Sequence, residues 1–122
     1  MKFRERELKT ETRIFLGKNA ENNDELMKKY RGKSNIILHT AKPGSPFCVI
    51  DSEKPSKKEI YEAGAVCASK SQDWRDNKSN FKIHVFTGKD VKKGWFTKQG
   101  TWKVRKFKEI TAKKEDVKKI KW

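Results

Sequence analysis

Between Pro55 and Asp73 the chain spells a helix whose inner stripe is made mostly of small residues. Pro55-Ser56-Lys57-Lys58-Glu59 opens it, because Ser56 can cap the first turn and Glu59, three positions on, can reach back to close a capping box. Ile60, Ala63, Gly64, Cys67 and Ser71 then share one face. Side chains of that size let a helix lie close to a sheet, so the rest of the chain is read for strands.

Phe3 to Leu8 and Arg13 to Gly17 read as a hairpin around the polar Lys9-Thr10-Glu11-Thr12, with Ile14-Phe15-Leu16 facing a core. Leu26, Met27 and Tyr30 fall at helical spacing in Ala20 to Tyr30, with Asn19 as N-cap and Arg31-Gly32-Lys33 as the stop. Ile36-Ile37-Leu38 and Phe47-Cys48-Val49-Ile50 are two β-rich runs across Lys42-Pro43-Gly44-Ser45-Pro46. Phe81, Ile83 and Val85 alternate with Lys82, His84 and Phe86 as in a half-buried strand. Trp102 and Val104 repeat the alternation, and the register shifts before Phe107 as if a bulge fell near Arg105-Lys106. Thr111 to Trp122 reads either as a short amphipathic helix on Val117 and Ile120 or as a basic tail. The architecture expected is α+β, a mixed, largely antiparallel sheet of about five to seven strands with two main helices packed on it. One domain over residues 1–110, followed by the tail or short helix at 111–122, fits a chain of 122 residues.

Charge then narrows the partners. Thirty-one Lys and Arg against sixteen Asp and Glu leave +15, a self-repulsion that makes a polyanion the natural neighbour, nucleic acid first. Residues 1–77 hold 16 basic and 12 acidic side chains, whereas residues 78–122 hold 15 and 4, so the electrostatic footprint is expected in the last third. Cys48 and Cys67 have no second Cys or His at metal-ligand spacing, which predicts two reduced, buried thiols and no metal. No apolar run approaches the roughly 18 residues of a membrane span, and Met1-Lys2-Phe3-Arg4-Glu5 lacks a leader's apolar stretch, so a cytoplasmic protein without membrane contact is expected.

Three places could carry binding chemistry. At Gly17-Lys18-Asn19 a strand gives way to a helix, whose unpaired N–H groups and Lys18 suit a phosphate, although the same residues serve a plain capped turn. His39-Thr40-Ala41-Lys42-Pro43-Gly44-Ser45-Pro46 offers an imidazole, hydroxyls on Thr40 and Ser45, and the Lys42 charge on a rigid loop, or is simply a tight turn. In the last third, Lys92, Lys93 and Lys98 surround Trp95 and Trp102. Trp102 belongs to a strand pattern and is expected inside, which leaves Trp95 as the platform on which an unpaired base could stack. A His39, Ser45, Asp51 hydrolase trio has no nucleophile elbow behind it, and Asp51 with Glu53, or His39 with His84, follow no catalytic or metal spacing.

Arg13-Ile14-Phe15-Leu16-Gly17-Lys18-Asn19-Ala20, then Asn23-Asp24-Glu25-Leu26 and Lys28-Lys29-Tyr30, then Leu38-His39-Thr40 with Pro43-Gly44-Ser45-Pro46, resemble in order and spacing the NFACT-R domain, the RNA-binding module of the NFACT proteins. Glu62-Ala63-Gly64, Ala68-Ser69-Lys70-Ser71, Val91-Lys92-Lys93 and Gly100 to Lys106 extend the resemblance. It implies binding of tRNA or ribosomal RNA on the large ribosomal subunit, in ribosome-associated quality control, by a stand-alone version of the archaeal kind with no cofactor. Where the family often has His-Ala-Asp and His-Gly, this chain has His39-Thr40-Ala41 and Pro43-Gly44, which takes an acid and an imidazole from the loop. The implied contacts are Lys18, Lys42, Lys92, Lys93 and Lys98 for phosphate, Asn19, His39, Thr40 and Ser45 for ribose or base, and Trp95 for stacking. A rival expectation is an RNA-processing or tRNA-modifying enzyme, or a subunit of one, using His39. Another is a protein-interaction module on the ribosome surface. Oligomeric state is not fixed by these patterns.

Overall fold

The computed structural model describes residues 2–42, 44–92 and 102–122. A hairpin of β1 (Arg4–Glu7) and β2 (Arg13–Leu16) leads into α1 (Ala20–Tyr30), and β3 (Ile36–Thr40) and β4 (Cys48–Ile50) follow. Next come α2 (Lys57–Ser69), α3 (Gln72–Asp76), β5 (Phe81–Thr87), a short pair β6 (Val91–Lys92) and β7 (Lys103–Val104), β8 (Lys108–Ala112) and α4 (Lys114–Lys118). Six strands form one sheet in the order β1-β2-β4-β3-β5-β8, and every described pairing is antiparallel. This is the α+β architecture expected.

The two main helices lie on opposite faces of the sheet. Alternation along the strands sends Ile14, Leu16, Leu38, Cys48, Ile50, Ile83 and Val85 to one face, where they pack with Ala63, Val66, Cys67 and Ala68 of α2. Val117 of α4 is buried in the same cluster; of the segment 111–122, Lys114–Lys118 is helical, Thr111 and Ala112 belong to β8, and Ile120 packs on the cluster from beyond the helix. The other face carries Ile37, Val49, Phe86 and Phe47 against Leu26, Met27 and Tyr30 of α1, with Val91 beside them and Trp102 and Val104 partly buried. Among the described residues that second cover is incomplete. Farther along the same face, Lys82, His84 and His39, with Glu109 and Thr111 of β8, are exposed or only half-buried.

Two expectations are corrected. The helix expected to run through Asp73 stops at Ser69, because Ser71 begins a new one: its hydroxyl donates to the Ala68 carbonyl (2.7 Å) and accepts from Trp74 N–H (3.1 Å). One hydroxyl thus serves an ending carbonyl and a starting amide. The register shift at Arg105-Lys106 is a change of sheet and not a bulge, since Lys103–Val104 pairs with β6 and Lys108–Ala112 pairs with β5.

Candidate nucleic-acid interface

At the end of the sheet where β2 and β3 finish and β4 begins, the chain leaves an open cleft of about 760 Å³. Gly17, Lys18, Asn19 and Ala20 form one wall, and Thr40, Ala41, Gly44, Ser45 and Pro46 form another. His39, His84, Phe47, Phe86, Phe107, Trp102 and Val104 supply rings and apolar surface. Arg4, Lys18, Lys70 and Arg75 are its cations, and no Asp or Glu lines it among the described residues.

The first wall is built by asparagines. Asn19 caps α1, its Oδ1 accepting from Asn22 N–H at 2.8 Å, and Asn22 Oδ1 in turn accepts from Lys18 N–H at 2.9 Å. Buried Asn23 reaches to the other wall, where its Oδ1 accepts from Phe47 N–H at 3.1 Å. Gly17 makes that reach possible, because a Cβ there would collide with the Asn23 side chain. Asp24 Oδ1 accepts from the Trp102 indole N–H at 3.0 Å, which ties the far side of the cleft to α1.

The second wall is fixed from below. Gly44, at φ +100, turns the loop so that its carbonyl accepts from Gln72 N–H at 2.9 Å. The Cys67 thiol donates to the Pro46 carbonyl at 3.3 Å. Ser45 Oγ accepts from Thr40 N–H (3.1 Å) and points its proton at the Pro46 carbonyl (3.2 Å), while Thr40 Oγ1 donates to the Lys42 carbonyl (2.7 Å). Both hydroxyls are therefore employed in shaping the loop.

His39 presents a defined tautomer. Its Nδ1 lies 2.7 Å from the Thr40 carbonyl, an acceptor only, so Nδ1 carries the proton and Nε2 keeps its lone pair. Burial, partly opposed by that hydrogen bond, lowers its pKa, which keeps the ring neutral near neutrality. The imidazole packs on Phe47 (centroids 4.5 Å apart), and His84, directly opposite it on β5, stacks on Phe107 at 4.0 Å and 23°. His84 Nε2 also lies 3.4 Å from Glu109 Oε2.

Of the residues expected from the sequence, the cleft brings together Lys18, Asn19, His39, Thr40 and Ser45. Lys42 leans away toward Asp73 at 3.8 Å, and Lys92 is exposed on β6, outside the lining. Lys93, Trp95 and Lys98 lie outside the described residues. Arg4, Lys70, Arg75, Phe47, Phe86, His84 and Phe107 were not singled out as ligand contacts. All four cleft cations come from the first 77 residues, not from the strongly basic last third. Cys48 and Cys67 are free and buried, as expected; burial drives the Cys67 thiol up to about 12 and raises Cys48 as well.

Among the described residues, an antiparallel sheet with a half-covered face that ends in a cationic cleft without carboxylates has the build of a polyanion-binding module. Residues 2–106 match the family model of the NFACT protein RNA binding domain, so the chain belongs to that family and has its general RNA-binding role. Among solved structures, the C-terminal part of the fibronectin/fibrinogen-binding protein from Streptococcus suis has the same fold, with a TM-score of 0.85 and 23% identity. The match covers 100% of this chain and 50% of that one, so the chain spans half the length of that structure. No curated protein matches. No described helix is long and apolar enough to cross a membrane.

Proposed function

We propose that this chain binds tRNA or ribosomal RNA in the cleft between Lys18 and His39, as a non-catalytic module of cytoplasmic translation or ribosome-associated quality control on the large ribosomal subunit. The observation that carries the reading is four cations around one cleft whose described lining holds no carboxylate. Arg4, Lys18, Lys70 and Arg75 would take phosphates, while the N–H groups at the start of α1 supplement Lys18. The His39 lone pair would accept a hydrogen bond from a ribose hydroxyl or an exocyclic amine. Lys42, Lys92, Lys93 and Lys98 would extend the phosphate track beyond the cleft, with Trp95 as a further stacking ring. Thr40 and Ser45 would act through the loop they shape.

Counterion release makes the reading testable. Replacing Lys18 and Lys70 together by alanine should weaken binding of single-stranded RNA and flatten the slope of log K against log salt by about 1.4, at roughly 0.7 per lost phosphate contact. The same measurement on Lys92→Ala with Lys93→Ala apportions the footprint between the cleft and the last third. A wild-type affinity that hardly responds to salt, or a slope untouched by either pair, refutes the proposal. Labelled tRNA incubated with the protein for hours should stay intact; cleavage abolished by His39→Ala would favour the enzymatic alternative.

A further inference from the structure

Three large hydrophobic side chains stand exposed among the described residues, and one of them, Trp122, is surrounded by cations. Half of the residue's surface is open to solvent. Its position is nevertheless fixed. The ring N–H donates to Ser69 Oγ at 3.0 Å, and that hydroxyl donates in turn to the Val66 carbonyl at 2.6 Å in the last turn of α2. The chain that delivers the ring is anchored by buried Val117 and partly buried Ile120, and by the Arg6 guanidinium donating to the Lys121 carbonyl at 2.6 Å. Lys70 Nζ lies 4.5 Å from the ring centroid, with the guanidinium carbons of Arg6 and Arg4 at 5.0 and 5.7 Å.

Two of those cations, Lys70 and Arg4, also line the cleft, so the indole adjoins it through shared side chains. Their proximity is electrostatically unfavourable: partial burial, then the charges of Arg4 and Arg75, lower the Lys70 pKa. An anion placed there would relieve the repulsion. The half-exposed tryptophan beside it offers π surface for a base, the cations now over the ring turning to the base's phosphate. An unpaired nucleotide carries both complements in one unit, an anionic phosphate and an exposed base face. A paired base hides its faces in the stack.

Building on the cleft as the RNA site, we propose that Trp122 forms a second subsite, where an unpaired nucleobase stacks on the indole while its phosphate is held by Lys70 and Arg4. Its ring lies beyond the segment shared with the family model, which ends at residue 106, whereas Lys70 and Arg4 lie within that segment. It selects single-stranded or looped RNA over duplex, whereas the cleft cations act on either.

The test compares an unstructured RNA of about ten nucleotides with a duplex of equal length, by fluorescence anisotropy on the full chain. Trp122→Ala should weaken the single strand about ten-fold, change the duplex less than about two-fold and leave the salt slope unaltered. Trp122→Phe, which keeps a ring, should recover most of the loss. Trp122→Leu, which keeps apolar bulk over the cations, should bind as weakly as the alanine variant. Full affinity in Trp122→Leu, or an equal loss for single strand and duplex in Trp122→Ala, overturns the stacking role. If Lys18→Ala with Arg75→Ala still weakens both RNAs, that failure leaves the cleft standing; a wild-type chain that binds neither RNA removes the cleft reading itself.

Discussion

Gly17 and Asn23 work as one unit, since the glycine exists to let the asparagine cross the cleft to Phe47. Asn23→Ala would leave the Phe47 amide buried without its partner, at a cost of about 1 to 3 kcal/mol. Gly17→Ala would drive the Asn23 side chain off the same amide, so each variant loses the same hydrogen bond. Urea unfolding of the two single variants and the double should therefore give a double-variant loss clearly smaller than the sum. Strict additivity would show that the two residues act separately. The Gly-Lys-Asn-Ala run was visible in the sequence as a cap and a candidate phosphate turn, and the Asn19 cap is there. What no local pattern could give is the span of 24 residues from Asn23 to its partner. For the same reason Lys18 and His39 could be nominated, each beside a turn, while Arg4, Lys70 and Arg75 could not. They become neighbours only when β1, the end of α2 and the last turn of α3 converge on one end of the sheet.

Among the elements, α2 carries the plainest sequence signal and also a load that the signal did not announce. The capping box forms, with Glu59 Oε1 accepting from Ser56 N–H at 2.9 Å. Its other oxygen accepts from Thr10 Oγ1 at 2.7 Å, so the box also clasps the β1–β2 turn. The Ser56 backbone bond, with help from the Thr12 and Thr10 hydroxyls, holds the Glu59 carboxyl down at about 2. A depressed carboxylate contributes stability that is complete above its ordinary value near 4.5 and lost as the pH falls toward 2. Thermal melts of wild type and Glu59→Gln should differ by a constant amount above about pH 5 and converge between there and pH 2. A gap that stays constant to pH 2 would contradict this. Strand and helix identities were legible because alternation and caps are local. The break at Lys70 was not, since Ser71 suits a helix interior face and a new cap equally until the Gly44 carbonyl claims the Gln72 amide. Nor was the partition of Trp102 to Ala112 between two sheets, because alternation fixes a strand's face and not its neighbour.

On the scale of the whole molecule, the sheet is a partition between two unequal clusters. The larger joins strands to α2 and α4, and the smaller joins them to α1 and the β6–β7 pair. The cleft opens on the side of the smaller cluster, where the cover given by the described residues stops short, so binding surface and incomplete burial coincide there. The charge that fits the chain for RNA is thus spread through its fold and not confined to its most basic third.

The order of strands also leaves β1 as one margin of the six-stranded sheet, and its four residues are Arg4-Glu5-Arg6-Glu7. A free margin of backbone amides and carbonyls is a template on which a second molecule can add a strand, and alternating charge is a common guard against it. With Glu5 and Glu7 the exposed members, on the sheet face that also carries Phe15, the guard on β1 is acidic in an otherwise basic protein. Glu5→Val with Glu7→Val should leave the fold intact, yet light scattering should show particles that grow with protein concentration while wild type keeps its size. Size independent of concentration in that variant would place the guard elsewhere. Growth in that variant would make protection from self-assembly depend on two carboxylates that the demands of RNA binding alone would tend to replace with lysine.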